Sequence, residues 1–174
     1  MRRFEIDVSD SDRGVYETLD LRVAQHPSEG DVYLVTRVLA RCLEHAEGVD
    51  FNPGGVSDDE LPALVQRDLT GQLIAWIEVS SPSPDRLHKA TKKCKRVAVY
   101  TWKNPERLVA EIVEREVHRA HDLELYALPT GDLEAIASTL DRVNKWDLAV
   151  TGGTIYLTVG ARSFETSARR LAIE

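Results

Sequence analysis

The sequence predicts a mixed α/β fold of the α+β kind, with helices packed on a sheet that holds both parallel and antiparallel strands. Three observations carry that expectation. Apolar and polar residues alternate in strand fashion at both ends of the chain, through Phe4, Ile6, Val8 and Leu19, Leu21, Val23, and again on either side of Gly152-Gly153. A stripe at helical spacing follows the first pair of strands, through Val32, Val35, Leu39, Cys42, Leu43 and Ala46. Between them, strand 73 to 79, helix 84 to 95 and strand 96 to 102 form a β-α-β unit, whose strands are expected to run parallel with a right-handed crossover.

At 174 residues, with 43% hydrophobic and 29% charged side chains, the chain is long enough for one good core and too short for two ordinary domains. One soluble domain over 1–174 is expected. The longest apolar run is Leu73 to Ile77, far short of a membrane span, and MRRFEIDVSDSD passes straight into acids where a secretory signal would be apolar. Cys42 and Cys94 sit on helix stripes without a CxxC or a paired framework, as reduced core residues do. A cytoplasmic location follows as an expectation, and no segment calls for a small-molecule cofactor. The net charge of −7 opposes generic nucleic-acid binding, which needs clustered cations. Locally, however, Arg86, Lys89, Lys92, Lys93, Lys95 and Arg96 concentrate positive charge. Both a solvated helix face and a nucleic-acid contact through Arg86, Lys89, Lys92 and Lys93 fit that run. The oligomeric state is not set by the sequence.

In chain order, SDSDRG turns the first hairpin, and HPSEGD then stops strand pairing at Pro27. Ser28 with Asp31 three residues on resembles a capping box for a helix over about 29 to 46. Glu29 lies on the extension of that helix's buried stripe, where it either faces the sheet or complements the helix dipole. Residues 47 to 60 are expected to be a loop, with Asp58, Asp59 and Glu60 as either a metal-attracting mouth or a solvated acidic run.

A second hairpin joins 63–67 to 73–79 through DLTGQ. With the turn centred near Thr70, facing residue numbers sum to about 140 or 141, which sets Glu78 opposite Pro62 or Ala63. Asp68 falls about 30 Å away along the strand, at roughly 3.3 Å per residue, and cannot share a site with Glu78. After SSPSP comes the helix with Leu87, Ala90 and Cys94 inward, then the strand RVAVYTW. Asn104-Pro105 opens a helix expected to reach about His118. His118 and His121 straddle its end, a poor zinc pair without a third ligand. Strand 123–128, helix 132–140, a hairpin over 146–159 and an edge strand within 164–173 complete the chain. No phosphate-cradling glycine loop or Ser/His/Asp arrangement is present.

Glu78 is the residue that asks for chemistry. In LIAWIEV it is the only polar position of a strand patterned for burial on both faces. A buried carboxylate must be paired, protonated or bound to a cation, so it belongs either to a structural network or to a site.

Four segments, AQHPSE (24–29), DDELPALVQRDLTG (58–71), WIEVSSPSPDRLHKA (76–90) and RVAVYTW (96–102), resemble the YaeQ family of bacterial proteins, and the likeness covers nearly the whole chain. The resemblance implies a restriction-endonuclease-like PD-(D/E)XK core, here about 28–102, with a mixed β-sheet flanked by helices and antiparallel hairpins at both ends. It implies Mg²⁺-dependent phosphodiester cleavage, in which a metal generates hydroxide and neutralises developing charge. Carried over by position, Glu78 is the strand acid and metal ligand, Glu29 the assisting helix acid, and Lys89 the lysine that activates water, moved onto the following helix. Ser80 stands where that superfamily's usual lysine would be. The family's acid after the proline of Leu61-Pro62-Ala63 is replaced by Ala63, which leaves Glu60 as the remaining second metal ligand. Two functions follow as expectations: a Mg²⁺-dependent phosphodiesterase or nuclease with a partly degenerate site, or a catalytically inactive binding or interaction module that keeps Glu29, Glu78 and Lys89 as a buried ionic network.

Overall fold

The computed structural model describes residues 1–52 and 61–173. Arg2–Asp10 (β1) and Val15–Val23 (β2) form the opening hairpin, and Val143–Thr151 (β8) and Thr154–Val159 (β9) form the closing one. Gly152 and Gly153 both take positive φ, 59° and 79°, as a two-residue hairpin turn of the primed type requires. Their amides donate to the Asp12 carboxylate at 2.8 Å each, tying the turns of the two hairpins together.

Between the hairpins lie Asp31–Leu43 (α1), Val49–Phe51 (β3), Leu64–Arg67 (β4), Leu73–Val79 (β5), Pro84–Lys93 (α2) and Arg96–Thr101 (β6). Pro105–Glu114 (α3), Glu124–Ala127 (β7) and Thr130–Ala137 (α4) follow, and Arg162–Thr166 (β10) and Arg169–Leu171 (β11) end the chain. The hairpins are not separate additions to one sheet. They join through a parallel β1–β8 pairing into a five-stranded sheet ordered β10-β9-β8-β1-β2, while the middle of the chain builds a six-stranded sheet ordered β11-β7-β6-β5-β4-β3. As expected, β5 and β6 run parallel, and β7 extends the parallel set.

Several boundaries differ from the sequence reading. The stretch 47–60 is not all loop, because Val49–Phe51 pairs antiparallel with β4. The last segment is two edge strands, one on each sheet. Ser28 does not cap α1: its hydroxyl is 2.7 Å from His26 Nδ1, and Gly30 takes the cap position. The third helix stops at Glu114, short of His118. There Glu116 turns into the left-handed region at φ 49°, while Glu116 N–H bonds Val113 O and Val117 N–H bonds Ile112 O, the paired closure of a Schellman motif.

The larger core cluster joins Phe4, Ile6, Trp146 and Leu148 of the five-stranded sheet to α1, α4 and one face of the six-stranded sheet. Every α1 residue from Leu34 to Cys42 is consequently buried, a helix enclosed on all sides where one apolar stripe was expected. Burial pushes the Cys42 thiol up to about 12, so it stays protonated and inert. The other face of the six-stranded sheet carries a second cluster, in which Trp76, Val97, Val99 and Leu125 meet Leu87 of α2 and Leu108 and Ile112 of α3.

Candidate functional site

Glu78 lies near the end of β5, between β4 and β6, and only 5% of it is exposed. Strand alternation sends Ile77 and Val79 toward α1 and Trp76 toward α2. Glu78 shares Trp76's face and meets the first turn of α2. That turn is fixed by Pro84 at its start and by the Ser83 hydroxyl, which accepts from Arg86 N–H at 3.2 Å. Arg86 Nε then donates to Glu78 Oε2 at 2.6 Å, Arg86 Nη2 donates to the Leu61 carbonyl at 2.9 Å, and the guanidinium stands 5.9 Å from the centre of the Trp76 ring.

Lys89, the expected partner of Glu78, is exposed instead. It follows the buried Leu87 by two positions, about 200° around the helix, so packing Leu87 inward turns Lys89 outward. Ser80 is equally unable to stand in for a strand lysine. Its φ of 90° takes the chain out of the strand directly after β5, with its N–H donated to Tyr100 O at 2.9 Å. Ala63 needs a finer statement. Leu64, Val65 and Gln66 face Ile77, Trp76 and Ala75, so their numbers sum to 141 and the same register sets Ala63 opposite Glu78. Yet Ala63 precedes β4 in a bend and packs with the cluster on the α1 side, away from the face that Glu78 shares with Trp76.

Glu29 sits just ahead of α1 in a tight turn, with its N–H donated to His26 O at 2.8 Å and Oε2 accepting from His26 N–H at 3.3 Å. Its side chain is sealed from solvent, and Arg37 Nη2 lies 3.0 Å from Oε1. This is an ion-pair distance without hydrogen-bond alignment, since Oε1 and Arg37 Nε each lack a hydrogen-bond partner. Burial raises the Glu29 carboxyl above its ordinary value, against the pull of Arg37, and burial lowers the Arg37 guanidinium against Glu29. Tyr33 on α1 feels both pairs. Burial raises its phenol first; Arg37 and Arg86 pull it down, and Glu29 and Glu78 push it up.

The structure therefore places Glu29 and Glu78 where the sequence expected buried acids and gives each a guanidinium. Sequence reasoning missed Arg37 and read Arg86 as a nucleic-acid contact, not as the partner of Glu78. The signal was present in the numbering, since Arg37 follows Glu29, and Arg86 follows Glu78, by eight positions.

Glu60, with Asp58 and Asp59, lies outside the described residues. Among the described residues no three His, Cys, Asp or Glu side chains converge as a metal ion would need. With Glu78 held by Arg86 and no oxygen on the Ala63 side chain, the described donor set does not fit a Mg²⁺ centre. His118 and His121 do not offer one either: His118 N–H donates to His88 Nδ1 at 3.0 Å, and His121 belongs to a separate 3₁₀ turn. Arg96 is also withdrawn from any phosphate contact, because Glu44 and Glu124 hold it at 2.6 and 2.8 Å.

Fold and site together define a two-sheet α+β protein with an enclosed helix and, at Glu29 and Glu78, buried carboxylates each matched by an arginine. The chain belongs to the YaeQ family, whose sequence profile, described as YaeQ protein, matches residues 1–168. The uncharacterized protein YaeQ of Escherichia coli (strain K12) is 25% identical over 163 residues, spanning 93% of this chain and 90% of that protein. The Salmonella typhi protein of the same description is 25% identical over 161 residues, or 92% and 88% of the two chains. The crystal structure of YaeQ protein from Pseudomonas syringae superposes with a TM-score of 0.91 at 29% identity, covering 99% of this chain and 96% of that one. The YaeQ protein structure from Xanthomonas axonopodis pv. citri gives 0.89 at 28% identity, covering 99% and 98%. No helix among the described residues is long and apolar enough to cross a membrane.

Proposed function

We propose that this chain is a polyanion-binding module on a nuclease-like core, in which the strand carboxylate of a former Mg²⁺ site has become one half of an ion pair. The observation that carries the proposal is Arg86 Nε at 2.6 Å from Glu78 Oε2: the cation partner of the strand acid is supplied by the chain itself. Arg86 also stands at the edge of a basic arc of α2. Lys89, Lys92 and Lys93 are exposed on that arc, opposite Leu87 and Ala90, and Lys95 is exposed just beyond it. The partner such an arc suits is a phosphodiester strand, with the lysines on phosphates and the Glu78–Arg86 pair beneath them as a structural support.

The test is fluorescence anisotropy of a labelled single-stranded oligonucleotide across a salt series, with a cleavage assay in Mg²⁺ and Mn²⁺ on the same sample. Three phosphate contacts predict a slope of log K against log salt of about −2. Replacing Lys89, Lys92 and Lys93 by Gln is expected to flatten it without changing the fold. Absence of binding at low salt would remove the polyanion partner. Metal-dependent cleavage that disappears in Glu78→Ala would instead establish a phosphodiesterase that depends on Glu78.

A further inference from the structure

The edge strands of the two sheets differ in length. β3 and β11 span three residues each and β10 spans five, but β2 spans nine. On one side β2 pairs with β1 without interruption, from Val15 to Val23. Its other side is open: among the described residues every hydrogen bond that β2 makes runs to β1. An open edge is a template for another strand, and VYETLDLRV carries no proline, lysine or bulge to blunt it. Alternation buries Leu19 and Val23 and turns Tyr16 and Arg22 to the outer sheet face. Tyr16 is 66% exposed, Arg22 is exposed as well, and among the described residues neither side chain makes a hydrogen bond, an ion pair or a ring contact.

We propose that β2 pairs antiparallel with β2 of a second copy of this chain, about a two-fold axis at Leu19, so that the five-stranded sheet runs on from one copy into the other. Tyr16 and Arg22 lie three residues to either side of Leu19, so this axis brings each tyrosine ring to the other copy's guanidinium, a cation–π contact made twice. It also sets Thr18 against Asp20 and Glu17 against Leu21, so that no acid faces an acid. Neighbouring axes are worse. At Glu17 or Asp20 two like carboxylates meet on the axis, and at Thr18 the Arg22 guanidinium falls against Gly14 of the turn. The interface is independent of the polyanion reading, because α2 and its lysines pack on the other sheet.

The test is sedimentation equilibrium of the full chain over a series of concentrations at physiological salt, where the net charge of −7 is screened. A reversible monomer–dimer equilibrium is expected. Tyr16→Lys places like charges together at both ends of the seam and is expected to weaken the dimer tenfold or more. Adding Arg22→Glu to that variant pairs the introduced charges and is expected to restore association. Tyr156→Lys replaces an exposed tyrosine of β9, away from the edge, and leaves the equilibrium unchanged. All three positions are exposed, and matching thermal unfolding of the variants shows that the fold is intact. A chain that stays monomeric at every concentration, a dimer indifferent to Tyr16→Lys, an equal loss in Tyr156→Lys, or a charge swap that restores nothing would each overturn the proposal.

Discussion

Arg86 closes over Glu78 from the first turn of the helix that follows its strand, and the same guanidinium ties the Leu61 carbonyl into the sheet edge. One side chain thus joins β5, α2 and the segment leading into β4. Removing it as Arg86→Met leaves a buried carboxylate unpaired, and the expected loss is about 3 kcal/mol, at the low end for breaking a buried pair because Arg86 is partly exposed. Glu78→Gln should lose less, about 1–2 kcal/mol, since the guanidinium reaches water. Urea unfolding of both single variants and the double variant checks this, and a double variant as unstable as the sum would mean the two residues do not interact.

Glu29 predicts a pH dependence of stability. Its folded-state carboxyl is raised by burial, so between the ordinary value of 4.5 and the raised one the native protein holds more protons than the unfolded chain. Stability from this group is full below 4.5 and falls as pH climbs through the raised value. Glu29→Gln removes that component, and the difference in unfolding free energy between variant and wild type should change across the window. A constant difference from about pH 4 to 8 would mean Glu29 keeps its ordinary value.

Ala63→Asp restores by sequence the acid that the family resemblance leads one to expect. Because Ala63 packs on the α1 side, the new carboxylate enters apolar surroundings, with an expected loss of about 2–4 kcal/mol. Mg²⁺ at millimolar levels should not return the lost thermal stability. A metal-dependent rise in Tm in this variant alone would show that the introduced carboxylate and Glu78 do share a cation.

Ser80 is held at φ 90°, a region that side chains with a Cβ avoid. Ser80→Gly is expected to stabilise the fold by about 0.5–1 kcal/mol, read as a higher urea midpoint at unchanged slope.

Local pattern carried much of this architecture. The alternation in β1, β2, β8 and β9 and the Gly152-Gly153 turn showed the hairpins, and the β4–β5 register followed from one turn position. What stayed hidden depends on distant contacts. Nothing near Ile6 announces that it will lie beside Trp146, and β3 is three residues long, too short for alternation to register. Glu78 was visible as a buried acid because a carboxylate among apolar residues is conspicuous, and Glu29 came into view as one of two readings, through the extension of the helix stripe. Their partners were not, because an arginine on an amphipathic helix looks solvated until the helix is rotated onto its sheet. The basic run 92–96 looked uniform for the same reason, although Arg96 is enclosed by two acids and its lysine neighbours are exposed.

The parallel pairing of β1 with β8 sets a timetable for folding. The first hairpin is made well before the strand that pairs with it across the sheet, Val143–Thr151, so one edge of β1 waits unpaired until that strand emerges. Its apolar inner face waits as well, for Trp146 and Leu148. Assembly should therefore be slow for a chain of this size, limited by closing the loop between the two ends, and most prone to aggregate in truncated or stalled chains that lack the final hairpin.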